Sequence, residues 1–416
     1  MLSGKKKKIL RISMLLLIFT GAFVQYQTRA PKRNFSDFHV PYTVGGKLLD
    51  GEEIYSYEEG LSYFKYPPFY ANLMVPLSCL PERAAASIWY ILNLFFLVIL
   101  FHCSRRIIVP DDRRYDSFLL YLFTAVLMFR AILQNMHEGQ ANIFMFTLLT
   151  LGLFFYVNER KLRAGFFIAF SVMIKYMTIF FLPYFLIIRK IKVIFFAFLS
   201  VLLLHLVPAL AFGFQQNIML IKKQLNFMFA SSLDPYSIYC YPNQSLISCI
   251  SRFFWKESPY EIHILHLDTI WIWTIFLCCS LVLYYLAIYP VFKKNLQHEV
   301  KDLRWKHCLD WGLIFIFVAL VNPNGWKNFY ISLFFPYMVI VYYLLKVKFK
   351  DKLITTLLVI SFILFSLASE FFVYGWAKDS FEVYSSITFG ALVLFITVLI
   401  LKIRHRKGMQ CHLGVE

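Results

Sequence analysis

Apolar runs of roughly 17 to 25 residues recur from one end of this 416-residue chain to the other, each long enough to cross about 30 Å of hydrocarbon as a helix. A backbone in lipid must satisfy its own hydrogen bonds, so only helices and closed barrels can span. The alternating pattern of barrel strands is absent here, which leaves an all-α polytopic membrane protein. Composition agrees, since 59% of residues are hydrophobic and 19% aromatic, with only 16% charged, outside the range of a water-soluble globular chain.

The formal charge of +18 does not point to nucleic acid, because the Lys and Arg residues fall in short clusters between apolar runs, the mark of topology. Lys5 to Lys8 and Arg11 flank a run at 9–26 that lacks a convincing cleavage site and reads as an uncleaved first span. Further spans are expected at 84–103, 116–129, 141–157, 191–212, 268–292, 309–321, 330–345, 353–373 and 387–401. The run 164–188 carries Lys175 and Pro183 and reads either as one span or as two short ones meeting at Lys175. Two short ones restore the charge pattern and give about twelve spans in a single domain, 1–416, with both termini cytoplasmic. Most of the 42 basic residues then lie inside and most of the 24 acidic ones outside, the basic tail 402–407 being cytoplasmic. The long outer loops are 27–82 and 213–266, and chemistry is expected on that outer face. Cys240 and Cys249 share the second loop, where free thiols are the expectation.

Five polar stretches interrupt the apolar pattern. Asn34 to Tyr42 follows the first span, and Phe38, Tyr42, Gly45 and Leu49 recur at helical spacing, which predicts a short amphipathic helix in the interface with Ser36 or Asp37 as its N-cap. A carboxylate at a helix N-terminus is held ionised, as a general base requires, so Asp37 is the candidate base. Lys65-Tyr66-Pro67-Pro68 opens an apolar segment too short to span, predicted to be a re-entrant or interfacial helix, with Tyr66 placed to meet a headgroup. Between two spans with little room for a loop lie Arg130, Gln134, Asn135, His137, Glu138, Gln140 and Asn142. Arg130 suits a phosphate by its planar fork or else snorkels to the interface, and His137 or Glu138 is a candidate second acid/base group. Lys175 is either a phosphate ligand or the marker of a helix end. Asn243 and Gln244 precede an amphipathic stretch ending at Arg252, and Asn322 to Tyr330 is a tight turn in which Asn324, Trp326 and Lys327 offer hydrogen bonds, an aromatic face and charge.

No phosphate-binding loop, dinucleotide fingerprint, zinc spacing or Ser/His/Asp signature occurs. Taken in order, Asp37, Tyr66-Pro67-Pro68, Gly139-Gln140-Ala141-Asn142, Lys175, Asn243-Gln244-Ser245 and Asn322-Pro323-Asn324-Gly325-Trp326 resemble the GT-C class of membrane glycosyltransferases. Within that class the chain resembles glycosyltransferase family 87, the polyprenol-phosphate-mannose-dependent mannosyltransferases. The resemblance implies transfer, with inversion, of mannose or another hexose or pentose from a polyprenyl-phosphate donor to a glycolipid or glycan acceptor. It further implies a non-cytoplasmic active site, in the inner (plasma) membrane of a bacterium. Asp37 would be the base, Arg130, Lys175 and Lys327 the donor-phosphate ligands, and Tyr66, His137, Glu138, Gln140, Asn142, Asn243, Gln244, Asn324 and Trp326 substrate contacts. The donor is a substrate, so no cofactor is implied, although a divalent metal is compatible with the chemistry. The competing readings are a transporter or flippase of lipid-linked sugars and a non-catalytic subunit of an envelope-assembly complex. A transporter would carry its ionisable groups near the midplane and often two similar halves, whereas here the polar motifs lie at the ends of the outer loops.

Overall fold

The computed structural model describes residues 36–55, 64–109, 117–232, 234–289, 300–368, 373 and 375–406, so the expected first span at 9–26 lies outside the described residues. The described chain is helical throughout, with two isolated β-bridges and no strand. Its order begins with α1 (Ser36–Leu49), α2 (Pro68–Ser78), α3 (Glu82–Ile108), α4 (Ser117–Glu138), α5 (Asn142–Val157) and α6 (Lys161–Ile174). A 3-10 segment (Tyr176–Phe181) then leads through α7 (Leu182–Ile187), α8 (Ile191–Phe212), α9 (Phe214–Ser232), α10 (Pro235–Tyr239) and α11 (Leu246–Phe254). The remainder is α12 (Thr269–Ile288), α13 (Val300–Val321), a second 3-10 segment (Lys327–Leu333), α14 (Phe334–Lys346), α15 (Lys352–Leu367), α16 (Trp376–Val383) and α17 (Ser386–Arg406).

Six described helical stretches are long and apolar enough to cross a membrane: Glu82–Ile108, Ser117–Glu138, Ile191–Phe212, Thr269–Ile288, Lys327–Lys346 and Ser386–His405. Three shorter apolar helices, Asn142–Val157, Tyr176–Ile187 and Lys352–Leu367, pack among them. Burial separates the layers. The 327–346 stretch is 94% buried and forms the core, whereas the 191–212 and 269–288 helices are only 22% and 17% buried. Along α8 the exposed residues Ile191, Phe195, Phe198, Leu202 and Leu206 recur every three or four positions and face the lipid.

The run 164–188 is divided, as its charge pattern allowed. Helix α6 stops at Ile174, Lys175 is extended at φ −145° and ψ 127°, and the chain resumes as the 3-10 segment and α7, with Pro183 in the first turn. The 14 residues of α6 reach about 21 Å, short of the roughly 30 Å of hydrocarbon. Lys175 can therefore lie within the protein rather than in lipid.

Helix α6 meets α8 by backbone approach. A Cβ on Gly165 would come within 2.7 Å of the Ala197 nitrogen and the Val193 carbonyl oxygen, so only glycine permits the contact. Gly165→Val is expected to force the two helices apart and cost about 1–3 kcal/mol. The check is a lower melting temperature in detergent, with Gly46→Ala as the control, because nothing lies within 4 Å of a Cβ there.

Two expectations are corrected. On α1 the buried residues are Phe38, Val40, Pro41, Val44, Gly45 and Leu48, while Leu49 is 49% exposed, so Phe38 and Gly45 of the expected stripe are buried but Leu49 is not. Lys402, expected in the basic tail that follows the last span, lies within α17, where it is buried and pairs with Asp310 of α13 at 2.6 Å. The second-loop thiols Cys240 and Cys249 are free, as expected.

Candidate active site

Helix α1 is laid on the bundle by apolar and local polar contacts. Phe38 stacks on Trp89 with ring centroids 6.2 Å apart, Ser78 Oγ donates to the Tyr42 carbonyl at 2.6 Å, and His39 Nδ1 donates to Glu82 Oε1 at 2.7 Å. These contacts direct Asp37, in the first turn of α1, toward the turn between α4 and α5. That turn is made by Gly139 at φ 67°, a left-handed position suited to glycine, and Trp89 Nε1 pins its carbonyl at 2.8 Å.

A continuous hydrogen-bond network results. Gln140 Nε2 donates to Asp37 Oδ2, while Gln140 Oε1 faces the Lys175 ammonium at 3.5 Å. Lys175 Nζ also donates to Asn142 Oδ1 at 2.7 Å and sits over the rings of Tyr66 and Phe329, 5.0 and 5.7 Å from their centroids. Asn328, in the 3-10 segment before α14, donates to Glu138 Oε2 at 2.6 Å and to Asp37 Oδ2 at 3.4 Å. Its own carbonyl accepts from Asn135 Nδ2 at 2.6 Å, and Asn135 Oδ1 accepts from Asn142 Nδ2 at 3.1 Å. The amide orientations of Gln140 and Asn142 are fixed by an ammonium on one side and acceptors on the other.

Asp37 is half-buried on α1. Contrary to the expectation that the helix N-terminus holds it ionised, burial pushes its pKa up to about 7, the Glu138 carboxylate adds to the rise, and Lys175 and the Gln140 hydrogen bond oppose it. Six of the residues put forward from the sequence thus converge: Asp37, Tyr66, Glu138, Gln140, Asn142 and Lys175. A carboxylate poised to take a proton lies beside a fixed cation, the pairing that displacement of an anionic leaving group by a hydroxyl requires.

The model of glycosyltransferase family 87 matches residues 64–301, more than half of the chain. The protein belongs to glycosyltransferase family 87. No curated protein and no solved structure matches it. Within the family match lie Tyr66, Arg130, the α4–α5 turn, Lys175, Asn243 and Gln244; Asp37 and the 322–328 turn lie outside it.

A second polar group of this family 87 glycosyltransferase lies alongside the first. Asn243 Nδ2 donates to the Ser237 and Pro323 carbonyls at 2.7 and 2.6 Å, and the Gln244 backbone donates to Gly325 at 2.9 Å. Gln244 Nε2 donates to the Tyr241 and Glu382 carbonyls at 2.7 and 2.8 Å. The loop is held from behind by fully buried Arg252, whose Nη1 reaches the Cys240 and Asn243 carbonyls at 3.0 and 2.8 Å and whose Nη2 reaches Ser385 Oγ at 2.8 Å. Lys65 Nζ donates to Asn324 Oδ1 at 3.1 Å, Trp326 is 40% exposed, and Lys327 pairs with buried Glu382 at 2.5 Å. Two pairs of chain neighbours divide between the groups. Tyr66 and Asn328 reach the Asp37 network, whereas Lys65 and Lys327 reach the second cluster.

Arg130 is tied to α15. It is buried rather than snorkelling, and its Nη1 donates to the Phe365 carbonyl at 2.7 Å while its guanidinium covers the Phe365 ring at 5.3 Å. His137 stands half-buried at the end of α4 beside Glu138. Asn328 and Glu382 are the residues that sequence reasoning missed. Asn328 sat in a motif already singled out, but Glu382 lies in an unremarkable polar stretch, and only the fold buries it against Lys327. Among the described residues no three of His, Cys, Asp and Glu come together as a metal cage.

Proposed function

We propose that the protein transfers a sugar, mannose or another hexose or pentose, from a polyprenyl-phosphate donor to a hydroxyl of a glycolipid or glycan acceptor. The proposed setting is the outer face of the inner membrane of a bacterium, within a single domain of about twelve spans whose termini are both cytoplasmic. The observation that carries this reading is the Asp37 carboxylate linked through the single amide of Gln140 to the Lys175 ammonium. In the reaction Asp37 removes the acceptor proton as the acceptor oxygen bonds to the anomeric carbon. The bond from that carbon to the phosphate oxygen breaks on the opposite face, its electrons leave with the lipid phosphate, and the configuration inverts. Lys175 stabilises the charge gathering on the phosphate. Lys327 and Arg130 are a second, more distant tier of positive charge, one paired with Glu382 and the other with the Phe365 carbonyl. Trp326 and Tyr66 supply aromatic faces for sugar or prenyl groups.

The direct test is to incubate the purified protein in lipid with a panel of polyprenyl-phosphate sugars and an extract of membrane glycolipids, following each donor by mass spectrometry. Loss of one donor with a matching mass gain on an acceptor supports the reading. Consumption of none of them, or movement of intact lipid-linked sugar across the bilayer without transfer, overturns it.

The rate should also depend on pH in a defined sense. Burial and Glu138 keep Asp37 protonated below about pH 7, and a protonated carboxyl cannot accept the hydroxyl proton. The value of kcat/KM is therefore expected to rise as the pH increases through about 7. A profile flat from about pH 5.5 to about pH 8.5 would contradict a basic role for Asp37.

A further inference from the structure

Glu138 was put forward from the sequence as a substrate contact, but both its carboxylate oxygens are already engaged. Oε1 accepts from Gln134 Nε2 at 3.1 Å and Oε2 from Asn328 Nδ2 at 2.6 Å. The same Asn328 nitrogen reaches Asp37 Oδ2 at 3.4 Å, so one amide bridges the two carboxylates. The two hydrogen bonds that Asp37 accepts from Gln140 and Asn328 both end on Oδ2. The two carboxylates are thus tied through one amide nitrogen, and both oxygens of Glu138 have partners.

We infer that Glu138 sets the basicity of Asp37, the two carboxyls being tied by the Asn328 amide. This rests on the transfer reaction proposed above. Asp37 touches the hydroxyl, and Glu138 is a positioning residue that acts through Asp37. Two like charges held this close resist joint ionisation, so a proton on one of them relieves the pair. A base with a higher proton affinity takes more of the proton in the transition state, at the expense of being ionised only at higher pH.

The other charged and titratable groups around the pair are fixed by the fold. Lys175, from the junction after α6, opposes Glu138 by favouring the ionised Asp37. Tyr66 packs on Lys175 from the segment before α2, with Tyr70 of α2 behind it at a ring separation of 4.9 Å. On α1 itself His39 turns away to Glu82 of α3, and Lys327, next to Asn328, turns away to Glu382 of α16. His137 adjoins Glu138 at the end of α4.

The test reads the proton directly, by pH-difference infrared spectroscopy of the protein in lipid. In the parent protein a carboxyl C=O band should vanish as the pH rises through neutrality, and Asp37→Asn should remove that band. Glu138→Gln should lower its midpoint by at least one pH unit, a tenfold fall in proton affinity, and shift the acid limb of the kcat/KM profile with it. Glu138→Ala serves if the glutamine amide disturbs Gln134 and Asn328. A role of Glu138 confined to packing would lower activity and leave the midpoint where it was, and that result overturns the inference. Retained transfer by Asp37→Asn would instead defeat the proposed reaction, while the infrared midpoints would still decide whether the two carboxyls are coupled.

Discussion

Asp37→Asn is expected to reduce sugar transfer by roughly 10²- to 10⁴-fold while the protein still inserts and still binds the lipid donor, the range that loss of a general base produces. Asparagine keeps the shape and one acceptor oxygen, so Gln140 and Asn328 retain a partner and the network need not collapse. The placement of α1 does not depend on the carboxylate either, being set by Phe38 on Trp89 and by Ser78 on the Tyr42 carbonyl. Donor binding is expected to persist because Lys175 keeps its Asn142 contact and loses a competing negative charge. The measurement is product formed in membranes carrying the variant, set beside binding of a labelled polyprenyl-phosphate sugar to the same membranes. Undiminished product would remove Asp37 from the mechanism. Loss of both product and binding would make it a structural residue.

The sequence announced the isolated costs and not the pairings. Asp37, Lys175 and the polar run at the end of α4 were legible because charged and amide groups are expensive in a bilayer wherever they fall. Their convergence on one network follows from three local devices: the extended break at Lys175, the left-handed turn at Gly139 and the 3-10 segment that presents Asn328. Each had a local signal, a Lys within an apolar run, a Gly in a short polar junction and a Pro/Gly turn, but none of these signals names its partners. Partners far apart in the chain were illegible. Lys327 reads as a free cation until α16 brings Glu382 against it, and Arg130 as a phosphate ligand or a snorkelling side chain until α15 offers it a carbonyl and a ring. Asn243 and Gln244 look like substrate amides, yet most of their donors hold their own loop to the 322–326 turn and to α16. The helical class came through clearly, because it depends on local composition and periodicity. On α1 the end of the expected stripe moves from Leu49 to Leu48, a choice of neighbour that spacing alone does not make.

Lys175→Met is expected to lower kcat/KM for a polyprenyl-phosphate donor by about 10²- to 10³-fold, the loss that follows removal of one preorganised group stabilising developing negative charge. Methionine preserves length and the contacts with Tyr66 and Phe329, so the change isolates the ammonium. Two effects then add, and they can be separated. The departing phosphate loses its cation, which weakens donor use at every pH. Asp37 also loses the positive charge that favoured its ionised form, so the acid limb of the profile moves to higher pH, opposite in direction to the Glu138→Gln shift. Donor titrations made well above the acid limb report the first effect alone. Lys175→Arg is not a conservative rescue, because the planar fork must fit where a compact ammonium now meets Asn142 Oδ1 at 2.7 Å and Gln140 Oε1 at 3.5 Å between two rings. A donor titration for Lys175→Met that overlays the parent's would assign this lysine to the break between α6 and the 3-10 segment, and the charge opposite Asp37 would then have to come from Lys65 or Lys327 across the boundary with the second cluster.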